Sequence, residues 1–198
     1  YRLESWDEGQ AITLAKNDAY FLDPPQIETI VFKIVPDDSA RALQMQSGEL
    51  DLCLLSPRDA QSFDGREGYA VYRMKTSDYR GILFNFQNDY WQRNRDLIPA
   101  VCCGIDRQAI VDAVLLGEGV PAYGPLQRSV YNNEDVDHYD YDPARARSIL
   151  ESAGCTLGDG GVYTRNGERV GFIISVGAGD QVRLDIAQAA AQQLGEIG

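Results

Sequence analysis

The chain has 198 residues, of which 44% are hydrophobic and 24% are charged. This composition is typical of a folded globular protein and excludes collagen-like and disordered classes. The 30 acidic residues exceed the 18 basic ones and give a net charge of -12, so nucleic acid and anionic lipid surfaces are disfavoured as partners. No apolar run approaches the roughly 18 residues that a membrane span needs.

The first part of the chain predicts three strands. Leu3 stands on one side of a polar turn, and Ile12 and Leu14 stand on the other, which indicates an antiparallel pair. The β-branched run over residues 30–35 then ends at a proline, which is typical of a strand end. A small sheet is therefore expected before residue 36.

A helix and a further strand are predicted next. Asp37 precedes residues 40–47, which are good helix formers, and Gly48 follows them at the position where a left-handed residue ends a helix. Residues 50–55 have an apolar pattern typical of a strand. A strand, a helix and a strand in this order are typical of α/β sheets.

Residues 56–68 predict a short helix, and residues 69–74 and 81–86 predict two more strands. We place a domain boundary after residue 82, so that residues 1–82 and 83–198 belong to different domains. The second domain opens with helices over residues 97–103, 107–116 and 143–153. The last of these has an N-cap at Asp142, a proline after it, and Gly154 behind it.

The clearest local motif is Asn166-Gly167 between two extended runs, residues 162–164 and 169–176. Both turn residues tolerate positive φ, which predicts a hairpin with a type I′ turn. A final helix is predicted from about residue 180 to residue 194, ended by Gly195.

Motifs of enzymes and of metal sites are absent from the sequence. His138, the single histidine, lies in the acidic segment 134–142, which we interpret as a solvated loop rather than a Ca²⁺ loop. The glycine-rich segment 158–161 precedes a strand, and we interpret it as a turn. Four cysteines without CxxC spacing favour buried thiols over a zinc site or a disulfide framework. We therefore predict no enzymatic activity, no cofactor and no metal.

The order of the motifs resembles a known family. Eight short motifs occur in register along nearly the whole chain. They are Tyr1-Arg2-Leu3 with Trp6, Asn17 to Tyr20, Ile30 to Phe32, Ala42-Leu43 with Gly48 to Asp51, Phe84-Asn85, Gly104 to Arg107 with Ile110-Val111, Gly117 with Pro121 to Pro125, and Tyr141 to Pro143 with Ala146, Leu150 and Ala153-Gly154. Together they resemble family 5 of the bacterial extracellular solute-binding proteins, the peptide- and nickel-binding subunits of ABC importers. One departure lies at Arg95 to Ala100, where the family usually has a basic helix start.

The resemblance implies a partial α/β fold of the two-lobed type II periplasmic binding protein class. Residues 1–82 would then form part of the first lobe, and residues 83–198 the first part of the second lobe. Because the chain starts without Met and stops after a helix, we interpret it as an internal piece of a longer protein. We expect such a piece to expose sheet edges and to self-associate.

By the same resemblance, the protein would be the extracytoplasmic component of an ABC importer. It would capture oligopeptides or dipeptides between two lobes and deliver them to the membrane permease. The expected location is the periplasm or the cell surface, with a lipid anchor left open. The ligand-binding candidates near the crossover between lobes are Tyr79, Arg80, Asn85 and Phe86. Alternatives are a binding subunit for nickel complexes or oligosaccharides and, in a different class, a hydrolase.

Overall fold

Alternating apolar and polar residues at the start of the chain produce a three-stranded antiparallel sheet. The computed structural model describes all 198 residues, and Leu3 pairs with Leu14 and Trp6 with Ile12, which confirms the predicted antiparallel pair. A β-bulge interrupts the register between Leu3 and Ser5. The strands lie in the order β1 (Arg2–Asp7), β2 (Ala11–Ala15) and β3 (Thr29–Lys33).

The predicted helix after the sheet is confirmed as α1 (Asp38–Ser47). The Asp37 carboxylate accepts a hydrogen bond from the Ala40 N–H at 2.7 Å, and Gly48 ends the helix with φ of 77°. A short helix, α2 (Pro57–Gln61), follows with Ser56 as its N-cap. The predicted strand over residues 50–55 is wrong. No strand pairs with these residues, and the Arg41 side chain instead donates to the Leu54 carbonyl.

The second half of the chain is mainly helical, as predicted. Its helices are α3 (Asp89–Arg93), α4 (Ile98–Cys103), α5 (Arg107–Val114), α6 (Pro143–Ser152) and α7 (Gln181–Glu196). Helix α3 was not predicted, and a 3-10 turn joins it to α4. The expected end of α7 at Gly195 is wrong. The helix continues to Glu196, and the buried Ile197 follows it.

A small sheet follows α6. It comprises β4 (Thr156–Leu157), β5 (Tyr163–Arg165) and β6 (Glu168–Arg169), paired in that order. Asn166 and Gly167 have φ of 52° and 79°, which confirms the predicted type I′ turn. Residues 158–161 form the turn between β4 and β5, as expected.

Three segments predicted as strands have no hydrogen-bonded strand partner. Residues 69–74, 81–86 and 170–176 belong to no sheet, so these strand assignments are wrong in the structure. Alternate residues in 82–85 and 171–174 are nevertheless partly buried and exposed, in the two-residue period of a strand. The side-chain pattern is present, but the backbone partners are not.

The hydrophobic core of the second half lies between the helices and the small sheet. Ala100 of α4 and Ala146 of α6 are both buried, and their small side chains let the two helices pack closely. Tyr163 is fully buried in the same cluster, and its backbone N–H donates to the Gly198 carbonyl at 2.9 Å. The other buried members are Leu97, Cys103, Leu150, Cys155 and Ile197.

The chain divides into two compact units, Tyr1–Asp64 and Gly65–Gly198. This division precedes the boundary that we placed between residues 82 and 83. The assignment of residues 1–82 and 83–198 to the two lobes refers to the complete receptor, of which this chain is only a part. It therefore stays a prediction. No helix is both long enough and apolar enough to span a bilayer.

Candidate functional site

The four predicted ligand-binding residues all lie in the second unit, on the extended segment that leads into α3. All four are exposed. Tyr79 folds back over Gly81, where an added Cβ atom would lie 2.7 Å from the tyrosine hydroxyl oxygen. Gly81 therefore lets the ring lie close to the backbone. The Arg80 Nε atom lies 3.4 Å from a carboxylate oxygen of Asp78, so this arginine already has an acidic neighbour.

Asn85 shapes the turn between the extended segment and α3. Its side-chain oxygen accepts a hydrogen bond from the Gln87 N–H at 3.0 Å, and its backbone carbonyl accepts one from the Asn88 N–H at 3.0 Å. The side chain of Asn88 then caps α3 by accepting from the Tyr90 N–H. Asn85 thus has a structural role in this turn, which the sequence did not reveal.

An aromatic cluster fixes the extended segment against α3. Trp91 packs edge-on against Phe84 at a centroid distance of 4.7 Å and against Phe172 at 4.9 Å. Tyr90 contacts Trp91 in the same way, and its hydroxyl oxygen accepts a hydrogen bond from the Gly171 N–H. Partial burial raises the pKa of the Tyr90 hydroxyl. The segments around residues 84 and 172 are therefore held by side chains rather than by a strand ladder.

Phe86 contacts Arg95, a residue that we did not predict as part of the site. The guanidinium carbon of Arg95 lies 4.4 Å from the centroid of the Phe86 ring, in a cation–π contact. Phe86 itself is 43% exposed. The two residues are nine positions apart, a spacing that matches no simple helix or strand period. The contact arises because the turn at Asn88 and helix α3 reverse the chain.

The acidic residue next to Arg95 is engaged elsewhere. Asp96 accepts two hydrogen bonds from the Arg165 guanidinium, at 2.9 and 2.8 Å. Arg165 also donates to the side-chain oxygen of the buried Asn94 at 3.0 Å. The hydrogen bonds from Arg165 lower the pKa of Asp96. This network ties the 3-10 turn between α3 and α4 to β5.

Residues 134–142 form a mostly exposed loop outside the helices and strands, as predicted, and His138 is itself exposed. Within this loop the His138 ring stacks on Tyr123 at a centroid distance of 3.9 Å and an interplanar angle of 7°. The Tyr123 hydroxyl donates to Asp140, and the guanidinium carbon of Arg107 lies 5.2 Å from the centroid of the Tyr123 ring. These contacts anchor the acidic segment.

The cysteines have the properties of structural thiols. All four are free. Cys103 and Cys155 are buried, as predicted, whereas Cys53 and Cys102 are only partly buried. Burial raises the pKa of each thiol, so the reactive thiolate form is disfavoured. No three side chains of His, Cys, Asp or Glu come together as a group that could hold a metal ion.

Comparison of the sequence with known proteins identifies the family of the chain. The family described as "Bacterial extracellular solute-binding proteins, family 5 Middle" matches residues 1–198. Protein XP55 of Streptomyces lividans is 33% identical over the whole chain, and the oligopeptide-binding protein AppA of Bacillus subtilis is 29% identical. The chain spans 36% and 37% of the lengths of these two relatives.

Two solved structures show the same fold over the whole chain. NikZ from Campylobacter jejuni, in complex with Ni(L-His), has a TM-score of 0.91 at 26% identity. AppA from Bacillus subtilis, in complex with a nonapeptide, has a TM-score of 0.74 at 27% identity. The chain covers 40% of each of these structures.

The fold and these matches define the class of the protein, which is that of the solute-binding proteins. The chain belongs to family 5 of the bacterial extracellular solute-binding proteins. The predicted fold class is confirmed, because the solved relatives have the two-lobed periplasmic binding protein fold and the chain corresponds to part of it. The comparisons do not test the four predicted ligand-binding residues, which stay a prediction.

Proposed function

We propose that the protein captures oligopeptides or dipeptides outside the cytoplasm and delivers them to the permease of an ABC importer. The observation that carries this proposal is the family match over all 198 residues. The relative AppA, which is named for oligopeptide binding and was solved with a nonapeptide, supports peptide as the ligand class. Fold alone does not define the ligand, so the site must supply the remaining support.

The extended segment offers a physical means of binding a peptide. The backbone groups of residues 79–84 make no hydrogen bond within the structure, and aromatic contacts at Phe84 hold the segment in place. An extended peptide can pair with such a backbone, which gives affinity without demanding particular side chains. Tyr79, Arg80, Asn85 and Phe86 would line this peptide-binding segment. The proposed role is non-catalytic, in keeping with relatives that are described as binding proteins.

A second candidate ligand is a nickel complex. The likeness to NikZ, which was solved with Ni(L-His), favours it. In that case the amino acid of the complex would provide metal ligands, and the protein would bind the complex as a small solute. An oligosaccharide has no comparable support among these relatives.

Trp91 offers a direct way to test peptide capture. The chain has two tryptophans, Trp6 at 66% exposure and Trp91 at 8%, and Trp91 contacts Phe84 on the candidate segment. In the full-length gene product, the part of an emission change that a Trp91→Phe variant loses reports on Trp91. We expect a saturable emission change when a panel of di- to nonapeptides is added. Titration calorimetry with the same peptides, with nickel–histidine and with oligosaccharides checks the ligand class.

A matched pair of substitutions tests the site. Phe86→Ala should weaken peptide binding by up to about tenfold, because an aromatic contact of this kind contributes roughly 0.5–1.5 kcal/mol. Phe21→Ala removes the same atoms from an exposed ring in the first unit and should leave binding unchanged. Binding of nickel–histidine without peptide would overturn the peptide assignment, and binding of none of the three ligand classes would overturn solute capture itself.

The description of the family as extracellular supports a location outside the cytoplasm. We propose the periplasm or the cell surface as the location, and a lipid anchor is compatible with both. Cell fractionation of a tagged gene product tests this, and recovery with the cytoplasmic proteins would contradict it.

We also propose that the 198-residue chain self-associates through its first sheet. Leu3, Trp6 and Phe32 lie exposed on one face, and β1 is an exposed edge strand. Antiparallel pairing of β1 with a second copy would place Arg2 opposite Asp7 of that copy. Light scattering should show dimers that Arg2→Asp weakens and the double variant Arg2→Asp/Asp7→Arg restores. A monomer at all concentrations would contradict the proposal.

A further inference from the structure

Arg95 differs from the other arginines around the candidate segment. Arg80, Arg93 and Arg165 each lie within ion-pair distance of a carboxylate. The Arg95 side chain is exposed, and it forms no ion pair in the structure. Asp96, the nearest carboxylate in sequence, is engaged by Arg165 through two hydrogen bonds. In a chain with a net charge of -12, this leaves a positive group without an acidic partner beside the proposed site.

The contact with Phe86 positions this charge. A guanidinium over the face of an aromatic ring keeps its N–H groups directed outward in its own plane. Those N–H groups form a fork that fits the two oxygens of a carboxylate. Because the ring limits the positions of the arginine side chain, less conformational entropy is lost when an anion binds.

We propose that Arg95, oriented by Phe86, binds a carboxylate of the captured solute, which for a peptide is the carboxylate of its C-terminus. This inference rests on the proposed peptide function and makes it more specific. The sequence reasoning chose Arg80 as the basic residue of the site. The structure favours Arg95, because Arg80 already has Asp78 as its neighbour.

The experiment compares one peptide with a free C-terminus and the same peptide with a C-terminal amide. Both are titrated by calorimetry into the full-length gene product and into its Arg95→Ala variant. We expect the wild type to bind the free acid about tenfold more tightly than the amide, which corresponds to the strength of a charged hydrogen bond. Arg95→Ala should lose this difference by weakening only the binding of the free acid.

Two further variants control for charge and for folding. Arg93→Ala removes the same charge from α3, where Arg93 faces Glu168 rather than the site, and it should keep the preference for the free acid. Arg95→Lys keeps the charge but removes the planar fork, so it should retain part of the preference. Thermal melting shows whether each variant is folded, and Arg95→Gln replaces Arg95→Ala if the alanine variant is unstable.

The outcomes separate this inference from the proposed function. Peptide binding in which acid and amide bind equally, or in which Arg95→Ala weakens both equally, overturns the role of Arg95 and leaves peptide capture in place. Failure of the wild type to bind any peptide overturns the proposed function and this inference with it. A preference for the free acid that disappears in Arg93→Ala but persists in Arg95→Ala assigns the carboxylate to another place and also overturns the inference.

Discussion

Truncation of Leu97 should test the core that supports the candidate site. Leu97 is 2% exposed and belongs to the buried cluster between α4, α6 and β5. Leu97→Ala removes three carbon atoms, which at about 0.8 kcal/mol each gives a transfer cost of about 2.4 kcal/mol. The cavity adds to this, because the surrounding helices relax only in part. We expect a total loss of about 3–4 kcal/mol, within the measured range for buried leucines.

Urea unfolding of the 198-residue chain measures this loss. In a Trp6→Phe background, Trp91 fluorescence follows the second unit alone. Leu83→Ala is the matched control, because it makes the same chemical change at a side chain that is 96% exposed, and it should change the free energy of unfolding by less than about 0.5 kcal/mol. A loss below about 1 kcal/mol for Leu97→Ala, with an unchanged denaturant slope, would refute the packing that we describe.

Three smaller effects follow from local structure, each measured as the free energy of unfolding. Asp142→Ala removes the N-cap of α6 and should cost about 1 kcal/mol; no loss would contradict the capping role. Gly167→Ala should cost about 1 kcal/mol because φ is 79° there, whereas Gly160→Ala, without positive φ, should cost less. Arg165 lowers the pKa of Asp96, so stability from this pair is present above the unfolded pKa of about 3.9 and is lost as the pH falls through the folded pKa. Because the carboxylate is half exposed, the effect should be below about 1 kcal/mol, and it should be absent in Asp96→Asn.

Helix ends and tight turns could be predicted from the sequence, because short-range contacts determine them. Asp37, Asp142 and Gly48 occupy the capping positions that their spacing predicted. The hairpin turn at Asn166 and Gly167 is correct for the same reason. In each case the group that satisfies the backbone lies within a few residues of it. The end of α7 was not predictable in this way, because the buried Ile197 follows the helix and packs in the core.

The candidate site could be predicted only in part. The sequence identified the segment that contains Asn85 and Phe86, but it could not show what each side chain contacts. The cation–π contact of Arg95 depends on a chain reversal through α3, an element of only five residues that was not predicted. The aromatic cluster around Trp91 likewise joins residues 84 and 172, which are distant in sequence. Such contacts follow from the fold and leave no periodic pattern in the sequence.

The unpaired extended segments show what a strand pattern in a sequence does and does not specify. Alternation in residues 82–85 and 171–174 reflects which side chains are buried, and the structure keeps this alternation. Hydrogen-bond pairing needs a second backbone at the right distance, and aromatic side chains hold these segments without one. A segment whose backbone groups are unpaired can accept another strand, either from a peptide solute or from a second protein chain. The same property that made the strand assignments wrong therefore supports residues 79–84 as a binding segment.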